Sequence, residues 1–328
     1  MSYLTVLLNH PKIIVTLEDE TIRIDSPDKP FRRVPLKMIG HVIIEGKPLV
    51  ACDVFRALTR YNIPTEILPV RGKGEIAYIG SGIASKGISS RIQQHFAYQN
   101  KFCALDIARW LVDLKIGGQQ DNILQISNGT AIQLTEQMNT FRKKAKLADS
   151  RNSLMGFEGN AASIYFKTLG GLIPERWKFK GRNRRPPRDP VNALLSLGYV
   201  LATTEIRRII QTRGLDPALG FLHVPLPERE SLVLDILEPI RPVIDRFVIS
   251  LIFHQFSLNH FSYSTKDGCR LNKQGRSIFY GSWADWRVSE SQELLKTSIN
   301  HIIKKLMQFF PMDINQDYNL LNYKEAIC

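Results

Sequence analysis

The chain is 328 residues long, 44% of them hydrophobic, with 44 Lys and Arg against 31 Asp and Glu for a formal charge of +13. Length and apolar content exclude general disorder and predict two domains, while the basic excess predicts a polyanionic partner held through phosphate contacts. No apolar run reaches the roughly 18 residues of a membrane span and MSYLTVLLNHPK lacks a signal-peptide plan, so a cytoplasmic protein is expected.

Short apolar runs open the chain: Leu4–Leu8, Ile13–Leu17, Thr21–Ile24 and Met38–Ile44, separated by His10-Pro11, Glu18-Asp19 and Ser26-Pro27. Runs of this kind between turn residues predict strands. Leu49–Tyr61 carries Val50, Val54, Phe55 and Leu58 at helical spacing, and Ile67–Val70 and Ile76–Ile79 read as further strands. Residues 1–85 are therefore expected to form a small β-rich domain, ending in the Gly-rich stretch Gly72–Gly87.

Helical periodicity follows, first at Ser90–Tyr98 and Phe102–Leu114. A long helix is predicted from about Asp189 to Arg213, with Asp189 as N-cap, Pro190 in the first turn and Gly214 as terminator. A second should run from Ser231 towards Phe256, its apolar positions being Leu232, Val233, Leu237, Ile240, Ile244, Phe247 and Leu251. The expectation is an α+β protein: the β-rich domain, then a larger, mainly α-helical domain over residues 86–312, then a mobile polar tail at 313–328. The charge sits in the second part, since residues 1–84 hold 11 basic and 9 acidic side chains and the remainder 33 and 22.

In Leu154–Phe166, Glu158 shares a helical face with Leu154, Ala161, Ala162 and Tyr165, which puts a carboxylate on an apolar face in need of a partner. A structural ion pair or a cap beside Gly156 and Gly159 explains it as well as a ligand role does. His223 lies in a Pro-rich connection, and Asp235 and Glu238 stand three apart on the following helix, where Pro239 and Pro242 deprive two carbonyls of partners and favour a kink. These acids read either as ligands or as solvated helix residues, and His223 either as a ligand or as a hydrogen-bonded loop side chain. A distant Glu, a loop His and a helix acid together make a mixed oxygen and nitrogen set suited to Mg²⁺ or Mn²⁺.

The stretch Arg176–Arg188 has seven basic residues, Arg176, Lys178, Lys180, Arg182, Arg184, Arg185 and Arg188, and no acid. It is the strongest local signal for phosphate binding; Trp177 and Phe179 would either stack on an unpaired base or pin the loop to the core. Cys52, Cys103, Cys269 and Cys328 are too scattered for a disulfide framework or zinc knuckle. His10, His41, His95, His254, His260 and His301 read as structural or surface residues.

The blocks SLMGFEGNAASIYF, NRRPPRDPVNALLSLGY and GLDPALGFLHVPLPERESLVLDILEPIRP resemble, in order and spacing, the signatures of the CRISPR spacer-acquisition integrase, the first CRISPR-associated adaptation protein. The likeness extends more loosely to the N-terminal region and to Asp267–Arg276. It implies that Glu158, His223 and Glu238 bind a catalytic Mg²⁺ or Mn²⁺, with Asp235 as an auxiliary acid. It also implies an N-terminal domain that forms a homodimer and a helical catalytic domain. Two dimers are expected around a small companion adaptation protein. The implied reaction is attack of a prespacer 3′-hydroxyl, at a free end of double-stranded DNA, on a phosphodiester of CRISPR repeat DNA, without a covalent enzyme intermediate. Two other readings are a metal-dependent nuclease for branched DNA and a non-catalytic DNA-binding scaffold.

Overall fold

The computed structural model describes residues 4–27, 29–61, 63–69, 76–79, 87–183, 186–265, 268–288 and 290–311, with the backbone alone for 287, 288 and 290–294. The expected tail, Asp267, Arg184, Arg185 and most of the Gly-rich stretch lie outside the described residues. The fold is α+β, strand-rich at the N-terminus and then helical. Two compact units make it up: Met1–Ala84 with Arg276–Leu294, and Ser85–Gly275 with Leu295–Cys328.

In the first unit, parallel strands β1 (Leu4–Leu8), β5 (Ile39–Glu45) and β7 (Thr65–Leu68) and antiparallel β8 (Ala77–Ile79) form one sheet in the order β1-β5-β7-β8. A second sheet has the order β4-β3-β2-β6, from β2 (Ile14–Glu18), β3 (Thr21–Ser26), β4 (Lys29–Pro35) and β6 (Leu49–Val50). Alternation points Val6, Leu8, Val15, Ile22, Val42 and Ile44 into one core, joined by Val54 and Leu58 of the helix α1 (Cys52–Arg60). Strand β4 gives no apolar alternation because none of its residues is buried; as an edge strand it tolerates Pro30 and Pro35. His41 and Glu66 are buried together in this unit, Nε2 to Oε1 3.5 Å. Residues Arg276–Leu294, placed by sequence with the helical region, group here instead: Arg276 Nε pairs with Glu45 Oε1 at 3.4 Å. Burial, then the charges of Glu45 and Glu66, pushes the Tyr280 hydroxyl far up.

The second unit is built on the helices α2 (Ile88–Gln99), α3 (Lys101–Ile126), α4 (Ile132–Lys146), α5 (Arg151–Leu172), α6 (Pro190–Thr212) and α7 (Ser231–His254). Side-chain caps set three starts, with Asn100 Oδ1, Ser150 Oγ and Asp189 Oδ1 accepting from backbone N–H groups of the first turn. α7 is buried nearly all round, through Leu232, Val233, Ile236, Leu237, Ile240, Ile244 and Val248, so it forms the centre of the unit. It runs continuously through Pro239 and Pro242. Its neighbour α3 comes very close there: a Cβ on Gly118 would stand 3.1 Å from the Pro242 ring, and Asn122 Nδ2 donates to Pro242 O at 2.7 Å. Glycine at 118 therefore lets two helix backbones approach, which decides what the residues one turn before it can reach.

Candidate active site

One turn before Gly118, Lys115 follows the fully buried Leu111 and Val112 and precedes the fully buried Ile116. Its ammonium donates to Glu158 Oε1 of α5 and to Glu238 Oε2 of α7. Arg241, one turn beyond Glu238, places Nε 3.0 Å from the other oxygen, Oε1, as an ion pair whose N–H is not aimed at that atom. Lys115 and Glu238 are 8% and 7% exposed at the side chain and Glu158 is 20% exposed, so the pair of glutamates opens to solvent on the Glu158 side. Burial by itself would raise the Glu238 carboxyl, but Lys115 and then Arg241 overcome it and hold the group well below the usual carboxylate range. Burial likewise opposes the Lys115 charge, and Glu238 and Glu158 outweigh it.

Asp235, three residues before Glu238 on α7, faces elsewhere. Its carboxylate accepts from Phe221 N, from Leu222 N at 2.9 Å and from His223 N at 2.8 Å, and its Oδ1 is 2.8 Å from His223 Nδ1. One buried acid thus organises the loop and fixes the imidazole through Nδ1. Gly220 is required for this: a Cβ there would lie 2.8 Å from Asp235 Oδ2 and 2.6 Å from the Ser231 backbone. Upstream, Gln94 of α2 grips the same loop, donating to Asp216 O and Leu219 O at 3.0 and 2.8 Å and accepting from Asp216 N at 2.8 Å. The reading of both helix acids as solvated residues is overturned: Asp235 and Glu238 are 0% and 5% exposed.

Behind Glu238 lies a buried polar cluster. Asp245 accepts from Tyr165 Oη at 2.9 Å and from Tyr199 Oη, and Asn122 Nδ2 donates to Tyr165 Oη at 3.1 Å. The Arg241 and Arg182 guanidiniums approach the Tyr199 ring, at 4.5 and 5.3 Å from its centroid. Burial, only partly offset by the two tyrosine hydroxyls, pushes the Asp245 carboxyl from 3.8 up to about 6. The native state consequently binds more protons than the unfolded chain between about pH 4 and pH 6. This contribution is complete below about pH 4 and is lost as pH rises through about 6, amounting to about 3 kcal/mol at most. In Asp245→Asn that increment disappears; urea unfolding of the two proteins from pH 4 to pH 7 measures it, and parallel curves would contradict it.

The basic stretch divides. Arg176, Lys178, Lys180 and Arg188 are exposed. Arg182 instead donates to Asn192 Oδ1 at 2.7 Å and Ser196 Oγ at 3.1 Å, tying the loop to α6. Trp177 and Phe179 are 1% and 5% exposed, so they pin the stretch to the core, with Trp177 edge-on to Phe261, and are not free to stack on a base. Sequence reasoning missed Lys115 and Arg241. A lone lysine among buried helix positions was the available signal for the first, and the i, i+3 relation to Glu238 for the second.

Among the described residues no three His, Cys, Asp or Glu side chains are already grouped as a metal cluster; the cation between the glutamates is the chain's own ammonium. The glutamate pair nonetheless fits a hard cation, because carboxylates from two helices converge on a single positive charge. No helix among the described residues is long and apolar enough to cross a membrane.

The family model described as "CRISPR associated protein Cas1" matches residues 6–285. The chain is 31% identical over 313 residues to the CRISPR-associated endonuclease Cas1 1 of Thermodesulfovibrio yellowstonii, covering 93% of this chain and 97% of that protein. Its fold is similar to that of a CAS1 protein from Thermotoga maritima, with a TM-score of 0.79 and 27% identity over 94% of this chain and 100% of that one. A casposase bound to integration product shares the fold, with a TM-score of 0.78 and 21% identity over 94% and 91% of the two chains.

Proposed function

The chain belongs to the CRISPR-associated Cas1 family of endonucleases, and from that membership we propose that it is a metal-dependent DNA integrase inserting prespacer DNA into a CRISPR array. The observation that carries this reading is the convergence of Glu158 and Glu238, from separate helices, on one cation, with His223 held in one orientation by Asp235 of the Glu238 helix. Glu158, Glu238 and His223 Nε2 would hold Mg²⁺ or Mn²⁺. Bound there, the ion would offset charge on the scissile phosphate and on the leaving oxygen. Asp235 keeps the imidazole in one orientation, and Gln94 and Gly220 keep its loop in place.

The attacking prespacer 3′-oxygen forms a bond to phosphorus as the repeat's own phosphodiester bond breaks, and the released 3′-hydroxyl takes up the proton. No enzyme nucleophile is needed. In keeping with this, the nearby Tyr165 and Tyr199 are engaged by Asp245, and burial first, then the Asp245 charge, pushes both hydroxyls well above the ordinary value. Exposed Arg176, Lys178, Lys180 and Arg188 supply phosphate contacts. On the family resemblance, the N-terminal unit forms a homodimer, and two dimers assemble around a small companion adaptation protein.

The test supplies duplex DNA with free 3′ ends, a repeat-bearing duplex and the companion protein, with Mn²⁺ or with EDTA. Joined product that requires Mn²⁺ is expected. Cleavage without joining would replace integration by hydrolysis of branched DNA, and binding without any metal-dependent strand breakage would leave only a scaffold.

A further inference from the structure

Lys115 has no place in the ligand set of Glu158, His223 and Glu238, yet it is the group that touches both glutamates. Its position is set by backbone packing. Gly118 lies against Pro242 and Asn122 is bonded to Pro242 O, so the Lys115 Cα is fixed relative to α7. Without the ammonium, Glu238 would keep Arg241 as its ion-pair partner among the described residues, and Glu158 would face it as a second negative charge in a site where Glu238 is 7% exposed.

We propose that Lys115 is the internal counter-ion of this site, holding Glu158 and Glu238 together in the metal-free protein and yielding its place to the divalent ion. The same oxygens cannot surround both, since an ammonium and a divalent ion at one locus would put three positive charges between two carboxylates. The protein therefore folds with a complete site before metal arrives, and the apparent affinity for metal is lowered by the fraction of molecules in which the ammonium occupies the pair. The exchange part of this inference rests on the proposed metal site; the counter-ion part does not.

The experiment uses the full chain, wild type and the variants Lys115→Met and K115M/E158Q/E238Q, melted in EDTA and in Mn²⁺, with Mn²⁺ binding followed by calorimetry. In EDTA, K115M should melt about 6–20 °C below wild type, the size expected when buried charges are left without their partner. The triple variant, which removes the opposing charges as well, should recover most of that loss. Mn²⁺ should raise the melting temperature of K115M more than that of wild type and bind it about tenfold tighter or more. A K115M that melts like wild type in EDTA, or a triple variant no better than K115M, overturns the counter-ion assignment. Equal Mn²⁺ affinity in wild type and K115M overturns the exchange while leaving the metal site intact. Absence of Mn²⁺ binding to either protein removes the metal site and the exchange together. Should K115M fail to fold, folding of the triple variant supports the assignment and its failure to fold overturns it.

Discussion

Glu238→Ala is expected to abolish Mn²⁺-dependent strand cleavage and joining, by more than about 100-fold, and to lower stability as well, since the buried Lys115 and Arg241 charges lose a shared carboxylate. The two acids differ in what they hold. Removing Glu238 takes away one of the two carboxylates that converge on the Lys115 ammonium; Lys115 keeps Glu158, while Arg241 loses its carboxylate and keeps the Tyr199 ring. Removing Asp235 strands three backbone N–H groups and frees the His223 ring. At about 1–3 kcal/mol for each buried donor left without an acceptor, Asp235→Ala should destabilise by at least about 3 kcal/mol. Asp235→Asn, which keeps an acceptor oxygen, should fold better and lose about 10–100-fold in activity, the usual size for a group that orients a ligand. Strand transfer titrated with Mn²⁺, beside a melting curve for each variant, measures both effects. A nearly normal Glu238→Ala with an inactive but fully stable Asp235→Asn would move the ligand role to Asp235.

DNA affinity should fall steeply when Arg176, Lys178, Lys180 and Arg188 are together replaced by Ala, whereas Arg182→Ala should act on the fold. The four are exposed side chains. Every cation withdrawn from a phosphate takes about 0.9 from the slope of log affinity against log salt, so a drop of about three to four is expected. Arg182 is committed to Asn192, Ser196 and the Tyr199 ring, so its removal should lower the melting temperature and leave the salt slope close to that of wild type. Filter binding or fluorescence anisotropy across a salt series distinguishes the two. An unchanged slope in the folded quadruple variant would take this stretch out of the DNA interface.

How much of this is legible in the sequence depends on the range of the interaction. Strands such as Leu4–Leu8 and the helix capped by Asp189 follow from apolar alternation, helical periodicity and a capping residue, all of which act within a few positions along the chain. Strand Lys29–Pro35 escapes the same reading because its neighbours, not a buried face, hold it in the sheet. At the site, spacing placed Asp235 and Glu238 on one helix, but their division of labour comes from what lies across from each: backbone N–H groups of the His223 loop in one case, Lys115 in the other. Likewise, seven cations in one stretch announce a phosphate surface, yet only packing against Asn192 and Ser196 withdraws Arg182 from it and only the core buries Trp177 and Phe179. Periodicity and charge are properties of neighbouring residues and are written locally. Lys115 and Glu238 lie 123 positions apart, and their contact exists only because Gly118 lets α3 settle against Pro242, a backbone approach that no local pattern encodes.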